Sequence, residues 1–212
     1  MKRATLLLAD DHAIVVEGLR RVLERDFDVI GAVEDGLALV EATQRLAPDV
    51  VVVDISMPLL NGIEAARQIR AANQSAKVVF LSMHPDVVYV SEALLAGGAA
   101  YVLKSSAGFE IVTAIRLALQ GKTYITPTIN RTTLDAQMKR DRGACEPAGT
   151  LSPRQRGVLQ MVAEGRSTKD IAVALRISPR TVEFHRYRAM ESLGLRSLAE
   201  LIQYAIKHRI VS

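Results

Sequence analysis

Short apolar runs alternate with helix-length amphipathic segments through about residue 120 of the chain. The apolar runs predict five strands, at residues 5–9, 29–33, 50–53, 78–81 and 100–103. The segments between them predict helices at 13–25, 36–46, 62–72, 86–96 and 109–120, with stop signals at Pro48 and Gly97. This order is typical of crossover helices on a parallel sheet, and four valines at 50–53 indicate a strand buried on both faces. We therefore predict an α/β doubly wound, five-stranded parallel sheet over residues 1–121.

The pattern changes in two steps after residue 121. Residues 122–150 accumulate Thr, Pro, Arg and Asp without a clear period, which predicts a linker whose front end has some helical character. From residue 151 the spacing is helical again and predicts helices at 153–163, 168–175, 179–193 and 198–207. Ser152, Ser178 and Ser197 each place a capping hydroxyl before one of these helices. We therefore predict an all-α, four-helix domain over residues 151–212.

Charge is distributed unevenly between these two predicted domains. Residues 1–150 carry 16 Lys and Arg against 18 Asp and Glu, whereas residues 151–212 carry 11 against 5. The net charge of +4 therefore originates in the last part of the chain. A small basic domain favours a polyanionic partner such as DNA, although a solvated basic face would show the same balance.

Composition excludes several classes of protein. Hydrophobic residues make up 49% and charged residues 24%, which is typical of a globular chain rather than a disordered one. No apolar run approaches the roughly 20 residues that span a bilayer, and the first residues lack a signal-peptide pattern. We therefore expect a cytoplasmic protein with no membrane partner. The single cysteine, Cys145, lies in loop-like sequence and can form no internal disulfide.

Acidic, hydroxyl and amino side chains follow the strands of the predicted sheet. Asp10 and Asp11 come after the first strand and Asp54 after the third. Ser82 follows the fourth strand and Lys104 the fifth. Because the carboxyl ends of parallel strands meet at one edge of an open sheet, we expect these side chains to be neighbours. Three carboxylates this close would repel one another without a cation, and Mg²⁺ prefers oxygen ligands, so a magnesium site is predicted at this edge.

The same residues suit phosphoryl chemistry. With Mg²⁺ bound, Asp54 can act as a nucleophile on phosphorus, and Lys104 and Ser82 can stabilise the resulting acyl phosphate. Taken alone, Asp10 or Asp11 would simply cap the helix that follows. Ser82 alone would be a turn residue, and Lys104 alone a solvated strand end. Four strand ends that together carry the required groups favour the functional interpretation.

Four segments in this part of the chain carry a family resemblance: Leu8-Ala9-Asp10-Asp11-His12, Val53-Asp54-Ile55-Ser56-Met57-Pro58 with Gly62, Leu81-Ser82, and Tyr101-Val102-Leu103-Lys104. Through them, residues 4 to about 121 resemble the receiver domain of bacterial response regulators, which has a flavodoxin-like fold. The resemblance implies that a sensor histidine kinase phosphorylates Asp54. It also implies that Asp11, Asp54 and the backbone carbonyl of Ser56 coordinate Mg²⁺, assisted by Asp10.

A conformational switch is implied by the same resemblance. Ser82 and Tyr101 would reorient on phosphorylation and remodel the face around the fourth helix and the fifth strand, while Lys104 stabilises the phosphoryl group. For Tyr101, a half-buried aromatic residue on a strand is an equally simple interpretation. His12 and His84 are not expected as ligands, because Mg²⁺ prefers oxygen.

In the C-terminal part, two predicted helices are separated only by the turn Arg176-Ile177-Ser178, which is the spacing of a helix-turn-helix motif. One face of the second helix should pack inward and carries Val182, His185, Ala189 and Leu193. The opposite face carries Arg180, Glu183, Phe184, Tyr187 and Arg188. Aromatic residues interleaved with arginine suit a DNA major groove, although packing on a neighbouring helix would also account for the aromatics.

Individual side chains of this face suit different parts of DNA. Glu183 can accept a hydrogen bond from a cytosine amine, and Phe184 can touch a thymine methyl. Arg180, Arg188 and Lys169 are placed for phosphates.

The segments 151–154, 163–172, 178–185 and 193–194 make residues 151–207 similar to the LuxR-type helix-turn-helix domain. This resemblance implies that Glu183, Phe184 and Tyr187 face the bases and that the last helix carries the dimer contact. The predicted DNA-binding set is Lys169, Arg180, Thr181, Glu183, Phe184, Tyr187 and Arg188, and the predicted dimer contact is Leu198, Leu201 and Ile202. Gln155 and Gly157 stand where the family usually has glutamates and Ser192 where it has lysine, which leaves two capping or ion-pair contacts and one phosphate contact in question.

Together the two resemblances identify the chain as a member of the NarL/FixJ family of two-component response regulators. They imply a homodimeric transcription regulator, not an enzyme, whose partners are double-stranded DNA, a sensor histidine kinase and RNA polymerase. An aspartate-nucleophile phosphatase would need a second acid two residues after Asp54, where Ser56 stands. A flavodoxin-like cofactor binder would need a phosphate-binding loop after the first strand, where residues 11–14 provide none. A DNA-binding protein that acts without phosphorylation remains the nearest alternative.

Overall fold

A computed structural model describes residues 3–72, 75–143, 151–208 and 210–211 of the chain. Cys145 lies outside the described residues. The chain divides into two compact units, one containing Met1–Met57 and Gly62–Gly143, the other containing Pro58–Asn61 and Ala144–Ser212. No helix among the described residues combines the length and apolar character needed to cross a bilayer.

The first unit is built on a parallel sheet, as predicted. Its strands are β1 (Thr5–Ala9), β2 (Asp28–Val33), β3 (Val50–Asp54), β4 (Lys77–Ser82), β5 (Gly98–Leu103) and β6 (Tyr124–Ile125). They are arranged in the order β2-β1-β3-β4-β5-β6, and every pairing is parallel. The prediction of five strands was one too few, because a two-residue strand carries little periodic signal.

Within the described residues, six α-helices belong to the first unit, besides a short 3-10 helix at Lys104–Ser106. They are α1 (Ala13–Leu23), α2 (Gly36–Leu46), α3 (Gly62–Ala71), α4 (Val87–Leu95), α5 (Ala107–Leu119) and α6 (Arg131–Gly143). Asp35 and Asp86 accept backbone hydrogen bonds at the starts of α2 and α4, which satisfies amide groups that have no partner within the helix. The first five helices agree with the sequence pattern to within two residues at each end.

Strand register determines where the polar residues lie. Every residue of β3 is buried, as its four valines predicted. Ala9 of β1 pairs with Val53 of β3, so Asp10 and Asp54 follow at the same level of the sheet. The order of strands reverses between β1 and β3, which opens a crevice at their carboxyl ends. The packed core thus sets the position of the acidic residues.

Residues after α5 continue the first unit rather than leaving it at once. In β6, Ile125 pairs with Tyr101 of β5. The buried Thr126 hydroxyl accepts a hydrogen bond from the Leu103 amide at 3.0 Å and donates one to Glu110 at 2.7 Å. Residues predicted as the front of a linker therefore form β6 and α6. The bounds of the two domains stay predictions.

The part of the second unit that the structure describes contains four helices: α7 (Pro153–Ala163), α8 (Thr168–Ala174), α9 (Pro179–Leu193) and α10 (Leu198–Lys207). A serine caps each of them through its side chain, at Ser152, Ser167, Ser178 and Ser197. Gln155 completes a capping box with Ser152, accepting from the Ser152 amide at 2.7 Å. Gln155 therefore makes this capping contact, although the family usually has a glutamate at this position.

Gly62 supports the site because its backbone lies against the end of β3. A Cβ atom at this position would lie 2.1 Å from the carbonyl oxygen of Asp54, far inside van der Waals contact. We expect Gly62→Ala to lower the free energy of unfolding of the first unit by about 2 kcal/mol, measured by urea denaturation. Gly108→Ala on α5 is the matched control, since its Cβ meets no heavy atom within 4 Å and alanine favours the helix. Equal effects of the two substitutions would contradict this account.

Candidate phosphoacceptor site and DNA interface

Lys104 links two carboxylates that come from different strands. Its Nζ lies 2.7 Å from Oδ2 of Asp10 and 2.8 Å from Oδ2 of Asp54. Asp10 follows β1, Asp54 ends β3 and Lys104 follows β5, so the contact joins three strand ends. The structure thus brings together the residues whose convergence the parallel sheet predicted.

Burial determines the electrostatics of this cluster. Asp10 is 1% exposed and Asp54 4% exposed. Burial raises the pKa of Asp54 above its ordinary value, and the negative charge of Asp10 raises it further, while the hydrogen bond and charge of Lys104 offset part of the rise. Burial alone would lower the pKa of Lys104, but its contacts with Asp10 and Asp54 outweigh burial and raise it. The ionised form of Asp54 is therefore destabilising in the folded protein unless a further positive charge binds nearby.

Asp10 also supports the loop after β1. Its Oδ1 accepts a hydrogen bond from the backbone amide of His12 at 2.9 Å. The residue at the start of α1 is His12, whose side chain makes no capping hydrogen bond. The simpler interpretation, in which Asp10 or Asp11 caps this helix, is therefore wrong.

The donor set fits a hard divalent cation. Asp10, Asp11, His12 and Asp54 each offer a ligand atom, and these atoms lie within 4.8 Å of one another. Three carboxylates face one lysine ammonium here, so a cation would neutralise excess negative charge. Nδ1 of His12 lies 2.8 Å from Oδ1 of Asp11, although sequence reasoning assigned His12 no place near the ion. Ser56 donates its amide to Oδ1 of Asp54 at 3.3 Å, and coordination by its carbonyl stays a prediction.

Ser82 and Tyr101 meet at the loop that leads into α4. Both residues are completely buried, so the prediction of a half-buried Tyr101 underestimated its burial, which also raises the pKa of its phenol. The Tyr101 hydroxyl donates to the carbonyl of His84 at 2.7 Å, and the Ser82 hydroxyl accepts from the His84 amide at 3.0 Å. The His84 ring stacks on Tyr89 of α4 at a centroid distance of 4.3 Å. The sequence did not predict this structural role of His84, because hydrogen bonds made by the backbone do not depend on the type of side chain.

The second unit presents the predicted recognition face on α9. Phe184 is 59% exposed and Tyr187 65% exposed, so the alternative in which they pack on a neighbouring helix is wrong. Val182 and Ala189 are buried on the opposite side, as the helical spacing predicted. Met190 joins Phe184 and Tyr187 in an open depression that is otherwise lined by charged residues of α9. Exposed aromatic residues of this kind are typical of a binding surface.

Several polar residues of this face already have partners within the unit. Glu183 accepts a hydrogen bond from Thr168 at 2.7 Å and forms an ion pair with Arg186. Arg188 forms an ion pair with Glu191 at 2.6 Å, and both side chains remain about half exposed. Arg180 and Lys169 are exposed, and Thr181 is partly buried beside its cap partner Ser178. Their roles toward DNA stay predictions.

The predicted dimer residues of α10 differ in exposure. Leu198 is 49% exposed and Ile202 is partly buried, so both offer surface to a partner. Leu201 is completely buried within the second unit, so its predicted dimer contact is wrong. The helical spacing places Leu201 on the face that packs inward, beside the buried Ala205, which explains the error. Ile206 is exposed on the same helix.

Two family models match the chain. The response regulator receiver domain matches residues 6–116, and the luxR family of bacterial regulatory proteins matches residues 149–205. The first match lies within the parallel-sheet unit and ends before β6 and α6, and the second spans most of the four-helix unit.

Curated proteins and a solved structure resemble the chain over nearly its whole length. Transcriptional regulatory protein MctR of Rhizobium johnstonii is 39% identical over 210 residues, covering 98% of this chain and 95% of MctR. Response regulator UvrY of Escherichia coli is 33% identical over 205 residues, covering 96% and 94%. A structure of two RcsB dimers bound to two parallel DNAs matches with a TM-score of 0.57 and 27% identity, covering 97% of this chain and 98% of the RcsB chain. The chain belongs to the two-component response regulators that join a receiver domain to a LuxR-type helix-turn-helix DNA-binding domain.

Proposed function

We propose that a sensor histidine kinase phosphorylates Asp54 and that this phosphorylation controls sequence-specific DNA binding by the second unit, and so transcription. The observation that carries the proposal is the buried contact of Lys104 with Asp54 and Asp10. A buried aspartate beside a lysine ammonium suits phosphoryl transfer, because the flexible lysine side chain can contact the negatively charged oxygens of the added phosphoryl group.

The chemistry is a transfer between two protein side chains. An oxygen of Asp54 forms a bond to phosphorus as the phosphorus–nitrogen bond of a phosphohistidine breaks, and the departing imidazole takes up a proton. Lys104 is placed to contact the new phosphoryl oxygens, and Ser82 offers a hydroxyl from the end of β4. Asp10, Asp11, Asp54 and the Ser56 carbonyl would hold Mg²⁺, which supplies positive charge to the phosphoryl oxygens when bound.

We infer that the partner kinase docks against exposed apolar side chains near this edge of the sheet. Ile14, Met83 and Phe109 are all strongly exposed. They follow the carboxyl ends of β1, β4 and β5, the same ends that carry the acidic site. Exposed apolar side chains around a charged crevice are typical of a surface that binds another protein.

The second unit is proposed to bind double-stranded DNA through α9. The exposed Phe184 and Tyr187 would reach base edges, and Arg180, Lys169 and Arg188 would contact phosphates. The dimeric RcsB–DNA structure supports a homodimer on DNA, with α10 offering Leu198 and Ile202. Action on transcription in the cytoplasm, with RNA polymerase as a further partner, follows from this role.

The first test is the intact mass of the full chain after incubation with Mg²⁺ and a small acyl phosphate donor. We expect one phosphoryl adduct that requires Mg²⁺ and is lost in Asp54→Ala. Asp135→Ala is the matched control, because Asp135 is an exposed aspartate on α6 and should leave the adduct unchanged. Absence of the adduct, or its survival in Asp54→Ala, would favour a DNA-binding protein that acts without phosphorylation.

Burial of Asp54 predicts a pH-dependent effect on stability. Because folding raises its pKa above the ordinary 3.8, the stability that Asp54 contributes is present below that pH and is lost as the pH rises through the folded pKa. At pH 7 without Mg²⁺, we expect Asp54→Asn to raise the Tm of the first unit by roughly 4 °C, since Lys104 keeps Asp10 as a partner. The gain should vanish near pH 4, and Mg²⁺ should stabilise the unaltered protein more than the variant. Calorimetry with Asp135→Asn as control checks this, and a lower Tm for Asp54→Asn at pH 7 would refute it.

Recognition by α9 predicts two distinct losses of DNA binding. Phe184→Ala should weaken binding to the specific operator by about 1–3 kcal/mol while leaving non-specific binding nearly unchanged. Arg188→Ala should weaken both and reduce the salt slope of log K by about one. Lys207→Ala in the last turn of α10 removes the same charge from another helix and should leave the slope unchanged. Fluorescence anisotropy at several salt concentrations measures all three, and equal slopes for Arg188→Ala and Lys207→Ala would count against α9 as the interface.

A further inference from the structure

Helix α6 packs against α4, the helix that follows the Ser82–His84 loop. The face of α6 that turns away from solvent carries Leu134, Gln137, Met138 and Asp141. These residues are three or four positions apart, so they lie on one side of the helix. Leu134 is completely buried, whereas Asp135 on the other face is exposed. This pattern is that of a docked helix rather than a solvated linker.

A polar contact fixes the register of the two helices. The hydroxyl of Ser91, which is completely buried on α4, donates to Oδ2 of Asp141 at 2.5 Å. Gln137 donates its amide to Oδ1 of the same carboxylate at 2.8 Å. A hydrogen bond to a charged acceptor is stronger than a neutral one, and it depends on position more steeply than apolar contact does. A small displacement of α4 would therefore weaken this contact first.

The start of α4 is tied to the acidic site through the loop before it. Ser82 ends β4 beside Leu103, directly before Lys104, and its hydroxyl holds the His84 amide. His84 in turn accepts from Tyr101 and stacks on Tyr89 of α4. Asp86 caps the first turn of α4 through the Val88 amide at 2.9 Å. Any movement of Ser82 is thus transmitted to α4 by hydrogen bonds and a ring contact.

We propose that α6 is the output element of the receiver: it is docked on α4 through Ser91 and Asp141, and phosphorylation of Asp54 releases it. A phosphoryl group on Asp54 draws the Ser82 hydroxyl toward it and away from the His84 amide. The loop and α4 then shift, and the contact between Ser91 and Asp141 breaks. Since α6 is followed in sequence by the segment that leads to the DNA-binding unit, its release changes how that unit is tethered. The release rests on the proposed phosphorylation, whereas the docking does not.

Docking can be measured in the full chain by limited trypsin digestion. Lys139 and Arg140 lie on the exposed side of α6 and are cleaved only when the helix unwinds. An isolated helix of this length is marginal in water, so undocking should expose both sites. Without a phosphoryl donor, we expect Asp141→Ala to raise the cleavage rate after these residues by about tenfold, and Ser91→Ala to do the same. The double variant should gain no further tenfold, because both substitutions remove one contact.

Asp135→Ala is the matched control, because it removes a carboxylate from the exposed face of the same helix and favours helix equally. Its cleavage rate should equal that of the unaltered chain. Equal rates for Asp135→Ala and Asp141→Ala would overturn the docking role of Asp141.

Phosphorylation provides the second arm, with adduct formation followed by mass in the same samples. The phosphorylated chain should be cleaved about as fast as Asp141→Ala, whereas Asp54→Ala treated with the same donor should carry no adduct and stay slow. An adduct without faster cleavage would overturn the release of α6 while leaving the proposed function intact. Absence of any adduct would count against the proposed function, and the Asp141→Ala comparison would still decide the docking.

Discussion

The ion pairs of Lys104 with Asp10 and Asp54 are the interactions on which the first unit's chemistry depends. They join residues far apart in sequence, and they form only because β1, β3 and β5 run parallel with fixed register. The four valines of β3 place Asp54 at the end of a strand that is buried along its whole length. The hydrophobic core therefore determines the distance between charges that water would otherwise separate.

The same burial makes the site responsive. Two nearly inaccessible carboxylates share one ammonium, so the negative charge is not fully balanced within the protein. A divalent cation, a proton or a rearrangement of the neighbouring loop can each relieve part of this cost. The loop is well placed for such a response, because Ser82 and Tyr101 both contact the backbone of His84. Sites with this balance are suited to switching between states.

The second unit differs from the first in how its helices are defined and in which side chains it leaves exposed. Each of its helices begins at a serine cap, which defines where the helix starts. The exposed Phe184 and Tyr187 contribute nothing to its core, so they remain free to contact a partner. Residue type alone did not distinguish surface from core on α10, where Leu201 and Leu198 look alike in sequence but differ in burial.

Local patterns in the sequence determined a large part of this protein. Apolar periodicity and capping residues predicted nearly every strand and helix, and strand-end chemistry predicted the cluster of Asp10, Asp54 and Lys104, because both depend on the chain's own spacing. The burial of Tyr101, the contact between Ser91 and Asp141, and the inward face of Leu201 were decided only by the tertiary structure. Each of these depends on which element packs against which, and a residue's neighbours across a helix interface or a loop are not encoded in its own periodicity.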